Sequence, residues 1–369
     1  MRIAVLAPLV SPIAEPQLGG SQALVADLSR GLAARGHDVV AFAASGSRID
    51  GVEVVDTGVD SASLAGTLFR ADGARPADST GPAVAAARAA FAHAVDLIAS
   101  SRPDIVHQHA FDAPAVAAVA ESGLPTLQVL HLPPTDAVAA AVRAAAAGER
   151  PPRVVTVSRA MRGAWARAEV QAEVVRNGVP VREIPWSDRP GRGALFAGRL
   201  SPEKGALDAI EVARRAGVAL RIVGQPYDPA HADEVELRAS AAGVVVESPV
   251  PRRRLWELMA GARAVLCPVR WEEPFGLVAA EAQAAGTPVV GYRRGALEEV
   301  VADGRTGALV GDGDVDAAAE ALSDAGRFDR RACREHAERH LGLDAMVEAY
   351  ERLSLEEVAA RAGSRRISP

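Results

Sequence analysis

At 369 residues the chain is long enough for two domains of about 150 residues, each able to bury a full core. Apolar residues make up 49% and charged residues 24%, with a formal net charge of −6, which is ordinary for a globular protein and gives no electrostatic case for nucleic acid. No run approaches ~20 uninterrupted apolar residues, excluding a bilayer-spanning helix, and the start, Met1-Arg2-Ile3-Ala4-Val5-Leu6, reads as a strand lacking the long apolar region of a signal peptide.

Short β-branched runs alternate with Ala-rich amphipathic stretches from end to end, the pattern of parallel sheets covered by helices on both faces. In the first half, strands are expected near 2–7, 38–43, 52–55, 104–108, 126–131 and 153–157. Leu24, Val25, Leu28 and Leu32 recur at helical spacing and predict a helix over 21–35, stopped by Gly36 in a left-handed cap. A Pro- and Gly-rich stretch, 72–82, reads as an excursion within the first domain. The helix expected at 82–101 has only Arg88 and Arg102 nearby, too little basic surface for a membrane-binding face. Gly178, Pro180, Pro185, Pro190, Gly191 and Gly193 interrupt any regular element and place the join in 178–192. The boundaries expected are therefore 1–180 and 181–343, with a final helix at 344–361 returning to the first domain and a frayed basic end from Arg365.

The second half repeats the alternation, with strands expected near 193–197, 219–223, 244–247, 264–267, 288–291 and 307–310. The Arg252-Arg253-Arg254 run reads as a solvated helix start. Cys267 falls in an apolar strand and Cys333 in a charged helix, without metal-ligand spacing, so a reduced, cytoplasmic setting is expected. Open α/β sheets bind ligands at the carboxyl ends of their strands, so function is sought in residues just after strands.

Forty of the forty-one basic side chains are arginine; the one lysine is Lys204, in Gly198-Arg199-Leu200-Ser201-Pro202-Glu203-Lys204-Gly205. A guanidinium fork and an ammonium point charge, five residues apart across a strand-to-helix turn, suit one polyanion gripped in two ways. The only asparagine, Asn177, stands in the turn Asn177-Gly178. The strongest local signal is Trp271-Glu272-Glu273-Pro274-Phe275-Gly276-Leu277, continuing through Glu281, which follows a strand and opens a helix. Glu281 lies on the otherwise apolar face of Leu277, Val278 and Ala284, where a carboxylate is costly to bury without partners. Sugar hydroxyls would serve as partners; so would a neighbouring backbone group or arginine. Backbone amides at the Phe275-Gly276 step favour a phosphate. Asp312-Gly313-Asp314 matches a metal-binding Asp-x-Asp only superficially and reads as a turn with Asp314 or a neighbour capping a helix.

Leu18-Gly19-Gly20-Ser21, Arg35-Gly36-His37-Asp38-Val39, Asp104 through His109, Asn177-Gly178-Val179, Gly198-Arg199 through Lys204-Gly205, Glu273-Pro274-Phe275-Gly276 through Glu281, Ala285-Gly286-Thr287-Pro288-Val289-Val290 and Glu299-Val300-Val301 through Gly307 follow one another from residue 1 to about 350. In order and spacing this ensemble resembles the family-4 retaining glycosyltransferases. The resemblance implies the GT-B architecture: two Rossmann-like parallel-sheet α/β domains facing across a cleft, the nucleotide-sugar in the second and the acceptor chiefly against the first.

By the same resemblance, Arg199 and Lys204 hold the donor diphosphate and stabilise the departing nucleoside diphosphate. Glu273 touches the donor sugar's hydroxyls, the amides of Phe275, Gly276 and Leu277 lie beside the phosphates, and Glu281 binds the ribose. Gly19 and Gly20 belong to a loop that closes over the diphosphate, where the lack of a Cβ permits close approach. His109 stands near the reacting sugar. His107 is expected to point to the other face of its strand as a structural residue, and His131 is a weaker acceptor-side candidate. The resemblance implies retention, by front-face displacement assisted by the donor phosphate, and leaves the base for the acceptor unassigned. No cofactor is implied, since the nucleotide-sugar is a substrate, and with Arg and Lys available no metal is required. Uridine is the family's most frequent donor base and guanosine an alternative. A soluble small-molecule acceptor is favoured, with peripheral membrane contact left open.

Two departures bear on specificity. Where the family often has a Ser soon after the strand ending at Pro268, Val269-Arg270-Trp271-Glu272 intervenes here, an Arg and a Trp able to shape the donor-sugar pocket. Gln225-Pro226-Tyr227 replaces the small or acidic residues usual after Val223-Gly224, so base contacts are not carried over. A dehydrogenase fails because Ala7-Pro8-Leu9-Val10-Ser11, not Gly-x-Gly-x-x-Gly, follows the first strand. A nucleotide-sugar epimerase, which forms product without an acceptor, and a non-catalytic nucleotide-sugar-binding subunit are the alternatives.

Overall fold

The computed structural model describes residues 1–17, 19–64 and 82–365. The predicted excursion at 72–82 falls almost wholly outside the described residues, as do Leu18 of the Gly-Gly motif and 366–369 of the basic end. The chain divides into two compact units, one of 1–14, 21–176 and 344–369, the other of 15–20 and 177–343.

Among the described residues the first unit holds seven strands, β1 (Arg2–Leu6), β2 (Asp38–Ala43), β3 (Glu53–Asp56), β4 (Ile105–Gln108), β5 (Thr126–Leu130), β6 (Arg153–Thr156) and β7 (Glu173–Val174). Their order is β3-β2-β1-β4-β5-β6-β7, with every pairing parallel. The two-residue β7 has too little sequence to show a period and was not expected. Parallel strands need crossovers, and the intervening helices supply them. Leu6, Phe42 and Val106 on one sheet face pack with Phe91 of the helix Pro82–Ser100 and Val119 of the helix Ala113–Ser122. The helix Gly20–Ala34 is followed by Gly36 at φ +88°.

The final helix, Leu343–Arg365, brings Met346, Val347, Tyr350 and Leu353 into the first unit's interior. Gly31 makes room for it: a Cβ there would lie 2.5 Å from Val347 Cγ2. Glu351 pairs with Arg35 and His37, and Glu356 with Arg153, tying its exposed side to the strand ends.

The second unit repeats the plan with β8 (Ala194–Ala197), β9 (Leu220–Val223), β10 (Val245–Glu247), β11 (Ala264–Cys267), β12 (Val289–Tyr292) and β13 (Gly307–Val310), in the order β10-β9-β8-β11-β12-β13 and again all parallel. Phe196, Ile222, Leu266 and Tyr292 pack with Ile210 of the helix Ala206–Ala216, Val235 of Pro229–Ala242 and Leu322 of Val315–Ser323. In each sheet the strand order reverses beside its first strand, between β1 and β4 and between β8 and β11. A doubly wound sheet binds ligands at such a switch point.

Candidate active site

In the second unit, the loops released by β8 and β11 lie side by side. After β8 the chain makes a 3-10 turn, Pro202–Lys204, closed by Gly205 at φ +75°. A Cβ at Gly205 would stand 1.9 Å from the Pro268 carbonyl oxygen, so only glycine lets this turn press against the residue that follows β11. Lys204 is thereby delivered to the β11 loop. Its Nζ is 2.8 Å from Glu273 Oε2, which also accepts a 2.7 Å hydrogen bond from Trp271 Nε1, and Nζ sits 4.6 Å from the centre of the Trp271 ring.

The Glu273 backbone is clamped in turn. Ala296 N–H donates to its carbonyl at 2.8 Å, and Gly295, at φ +56°, passes so close that a Cβ would stand 2.3 Å from that oxygen and 2.4 Å from Glu273 N. Cys267, ending β11, is buried beside this pair; burial, then the Glu273 carboxylate, push its thiol up to about 12.

Arg199 donates to Glu203 Oε1 at 3.1 Å and stacks on Tyr227, 4.6 Å from the ring centre, while Ser201 Oγ donates to the same oxygen at 2.7 Å. Glu203 is buried, and its Oε2 has no hydrogen-bond partner among the described residues. Glu281, inside the helix Leu277–Ala284, takes a 2.7 Å bond from Arg252 Nε, both side chains being less than a tenth exposed. This overturns the expectation that Arg252 is solvated like Arg253 and Arg254. Its backbone N–H donates to Glu15 Oε2 at 2.9 Å, and its guanidinium lies 4.8 Å from the Trp256 ring centre. A buried carboxylate needs a cation, and Glu281 draws in the first arginine of the run.

Glu273 and Glu281 thus share one arrangement. Each commits one oxygen to a cation of the chain, and the other oxygen, Oε1 of Glu273 and Oε2 of Glu281, accepts no hydrogen bond among the described residues. Phe275 is buried, Gly276 caps the helix at φ +91°, and the amides of the first turn from Leu277 have no partner within the helix. Gly20 comes against this point: a Cβ on it would be 2.8 Å from Leu277 Cδ1. Gly19 immediately precedes it.

The two residues that set this loop apart divide their work. Arg270 donates to both oxygens of Asp208 at 2.9 and 2.6 Å, Tyr292 Oη donates to the same carboxylate at 2.8 Å, and Arg270 N–H donates to the Glu203 carbonyl at 2.8 Å, lacing the β8 and β11 loops together. Trp271 instead touches Lys204 and Glu273. Asp312 pairs with Arg294, which also donates from Nη1 to the Arg270 carbonyl at 2.9 Å, and Asp314 Oδ1 caps the helix Val315–Ser323 by accepting from Ala317 N–H at 3.0 Å. Among the described residues no three His, Cys, Asp or Glu side chains are grouped to hold a metal ion.

In the first unit, His109 N–H donates to the Leu6 carbonyl at 2.9 Å, fixing it where β4 meets β1 at the switch point. Its Nδ1 is 2.9 Å from His131 Nε2, the rings are stacked with centres 5.1 Å apart, and its buried Nε2 has no partner among the described residues. Burial and the neighbouring imidazoles hold His109 well below the ordinary histidine range, and burial lowers His131 to about 4, so both rings are neutral at pH 7. One nitrogen of the pair therefore donates to the other.

His107 lies on the same face as His109, not the opposite one. Residues two apart on a strand share a face, and both rings approach Tyr350, at 5.7 and 6.1 Å. Gln108, between them, takes the other face. Ser354 Oγ donates to the Tyr350 carbonyl, so His107 Nε2–H donates to Ser354, and burial lowers His107 to about 3. Its bonding is to the final helix, as befits a structural residue. Asp112, three residues beyond His109, was missed. Its buried Oδ2 has no partner among the described residues, it makes no side-chain cap for the helix it precedes, and burial pushes its carboxyl up to about 7. Before Ala113-Pro114 an Asp reads as an ordinary helix cap, which conceals it.

Among the described residues no helix is long and apolar enough to cross a membrane. The family described as glycosyl transferases group 1 matches residues 187–340, and that described as glycosyltransferase family 4 matches residues 18–183. A D-inositol 3-phosphate glycosyltransferase of Acidothermus cellulolyticus is 30% identical over 364 residues, covering 84% of this chain and 79% of that protein. The crystal structure of a glycosyltransferase involved in avilamycin A biosynthesis superposes with a TM-score of 0.71 at 25% identity, over 97% of this chain and 98% of that one. Sucrose-phosphate synthase from Thermosynechococcus elongatus shares the fold with a TM-score of 0.78 at 18% identity, over 97% and 99% of the two chains. With two doubly wound sheets, family matches to both halves and a relative aligned over most of its length, the chain belongs to the group 1 glycosyltransferases of the GT-B fold.

Proposed function

We propose that this glycosyltransferase moves a sugar, with retention of anomeric configuration, from a nucleoside diphosphate sugar to a hydroxyl of a small soluble acceptor, without a metal ion. The observation that carries this proposal is Lys204, from the turn that also carries Arg199, set on Glu273 at the switch point of the second sheet, with the Arg252-paired Glu281 in the helix that the Glu273 loop opens. Cations suit the diphosphate, the open oxygens of Glu281 and Glu273 suit ribose and sugar hydroxyls, and the first-turn amides at Leu277 suit a phosphate oxygen.

As the bond from the anomeric carbon to the diphosphate breaks, negative charge grows on the leaving oxygen. Arg199 and Lys204 stabilise it there, the place a divalent ion takes in other transferases. The acceptor oxygen bonds to the anomeric carbon and its proton passes to the departing phosphate, so no protein nucleophile is needed. Retention rests on the family resemblance. In the first unit, neutral His109, held by His131, offers the buried Nε2 to a substrate hydroxyl. One relative is named for D-inositol 3-phosphate and one solved structure is of a glycosyltransferase involved in avilamycin A biosynthesis, which supports a small acceptor. Uridine is the first donor base to test.

The test is incubation of the purified protein, in chelator, with UDP- and GDP-sugars and a panel of inositol phosphates and free sugars. A product whose anomeric configuration matches the donor's, formed only with acceptor, is the expected result. An inverted product, a requirement for added metal, or an epimerised sugar without acceptor would each overturn part of the proposal.

A further inference from the structure

Resting on the donor-site proposal above, we propose that Trp271 sets the sugar selectivity of this enzyme, by holding the Glu273 carboxylate in place once the donor's diphosphate has drawn Lys204 away. The geometry puts two donors on one oxygen. Lys204 Nζ, from the turn after β8, and Trp271 Nε1, two residues before Glu273 on the same loop, both bond Oε2, at 2.8 and 2.7 Å. They differ in what an arriving ligand does to them. Lys204 carries a mobile point charge on a flexible stem, and a diphosphate offers it more negative charge than one carboxylate does. The indole N–H is neutral and travels with its own loop, so it stays.

The Glu273 backbone is clamped by Ala296 N–H and by the close passage of Gly295, leaving its side-chain torsions as its freedom. With Lys204 turned to the diphosphate, the Trp271 bond is the contact that keeps Oε2 fixed and Oε1 aimed at one sugar hydroxyl. A site built to bond a hydroxyl rejects the epimer that places it elsewhere, because the buried acceptor is then left unpaired. The ring face, 4.6 Å from Nζ, also keeps the ammonium within reach of both anions. Trp271 is half-buried and is not among the fully buried hydrophobic side chains. Arg270, its neighbour, carries the structural load of the loop through Asp208.

Trp271→Phe keeps the ring face under Lys204 and removes the N–H. Calorimetry compares wild type and variant for UDP and its glucose, galactose and N-acetylglucosamine conjugates, and for GDP and GDP-mannose, with Tm confirming an intact fold. The expected result is a nucleoside diphosphate bound within twofold of wild type, the preferred sugar conjugate bound roughly tenfold more weakly, and the ratio between epimeric conjugates moved towards one. Wild-type affinity and ratio in the variant would overturn the proposal. So would an equal loss for the nucleoside diphosphate and its conjugates, which marks general damage, or a wild type that does not discriminate between sugars. Failure of the wild type to bind any nucleoside diphosphate is a separate outcome, which removes the donor site itself and this role with it.

Discussion

Lys204 and Glu273, 69 residues apart in sequence, meet at 2.8 Å because they end the loops of two neighbouring parallel strands, β8 and β11. Their side chains are 20% and 11% exposed, so the pair is dry enough to matter and open enough for a ligand to enter. The cation that is to hold a diphosphate is held meanwhile by a carboxylate and an indole.

Lys204→Ala removes that charge from the leaving group. The drop in kcat/KM is expected at about 100- to 1000-fold, the scale seen when one preorganised donor is deleted, with Tm within a few degrees of wild type. Steady-state transfer assays check it; a rate within threefold of wild type removes Lys204 from the diphosphate.

Glu281→Gln removes the carboxylate that pairs with the buried Arg252 guanidinium. Breaking a buried pair from one side costs roughly 3–5 kcal/mol, less here because the amide oxygen still accepts. Tm should fall by several degrees, and binding of the nucleoside diphosphate should weaken about tenfold while its 2′,3′-dideoxy analogue is bound as weakly as by wild type. An unchanged preference for the ribose form contradicts the ribose assignment.

Gly295→Ala forces a Cβ to 2.3 Å from the Glu273 carbonyl and asks alanine to adopt φ +56°. The Glu273 loop must shift, so transfer should fall at least tenfold and Tm by several degrees. Full activity would show that the clamp on Glu273 is dispensable.

Asp112→Asn tests burial in the first unit. The folded carboxyl titrates at about 7 and an unfolded one near 3.8, so the folded state binds more protons between those values and loses stability as pH rises through them. Moving a carboxyl that far is worth at most ~4 kcal/mol, reduced by the partial exposure of the residue. The variant should gain several degrees in Tm at pH 8 and nothing near pH 3. Calorimetric scans across that range decide it; an equal gain at both ends points to packing instead of charge.

Both sheets are legible from alternation, except for the two-residue edge strand β7. Strands such as β2, β11 and β13 are short β-branched runs bounded by turn residues, and their limits agree with expectation to the residue. The β8 loop, the Glu273 loop and the helix cap at Asp314 were legible because turn chemistry is local. Partnerships between loops were not. Nothing near Arg252 in sequence announces Glu281, 29 residues on, and a triple-arginine run reads as solvent-facing by composition. The opposite face expected for His107 runs against the period of two itself, and Tyr350, which shows the shared face, arrives from the final helix. The segment 15–20 belongs to the second unit through contacts such as that of Glu15 with Arg252, which no local pattern records.

The most direct test of the donor site is the thermal stability of wild type and Lys204→Ala against UDP, GDP and ADP, each with chelator present. A ligand at ~100 times its dissociation constant adds ~2.7 kcal/mol to the folded state. Stabilisation of wild type by one of the three, lost in Lys204→Ala, is the predicted result. No shift with any nucleotide, or a shift that appears only when magnesium or manganese replaces the chelator, would contradict metal-free binding of a nucleoside diphosphate by Arg199 and Lys204.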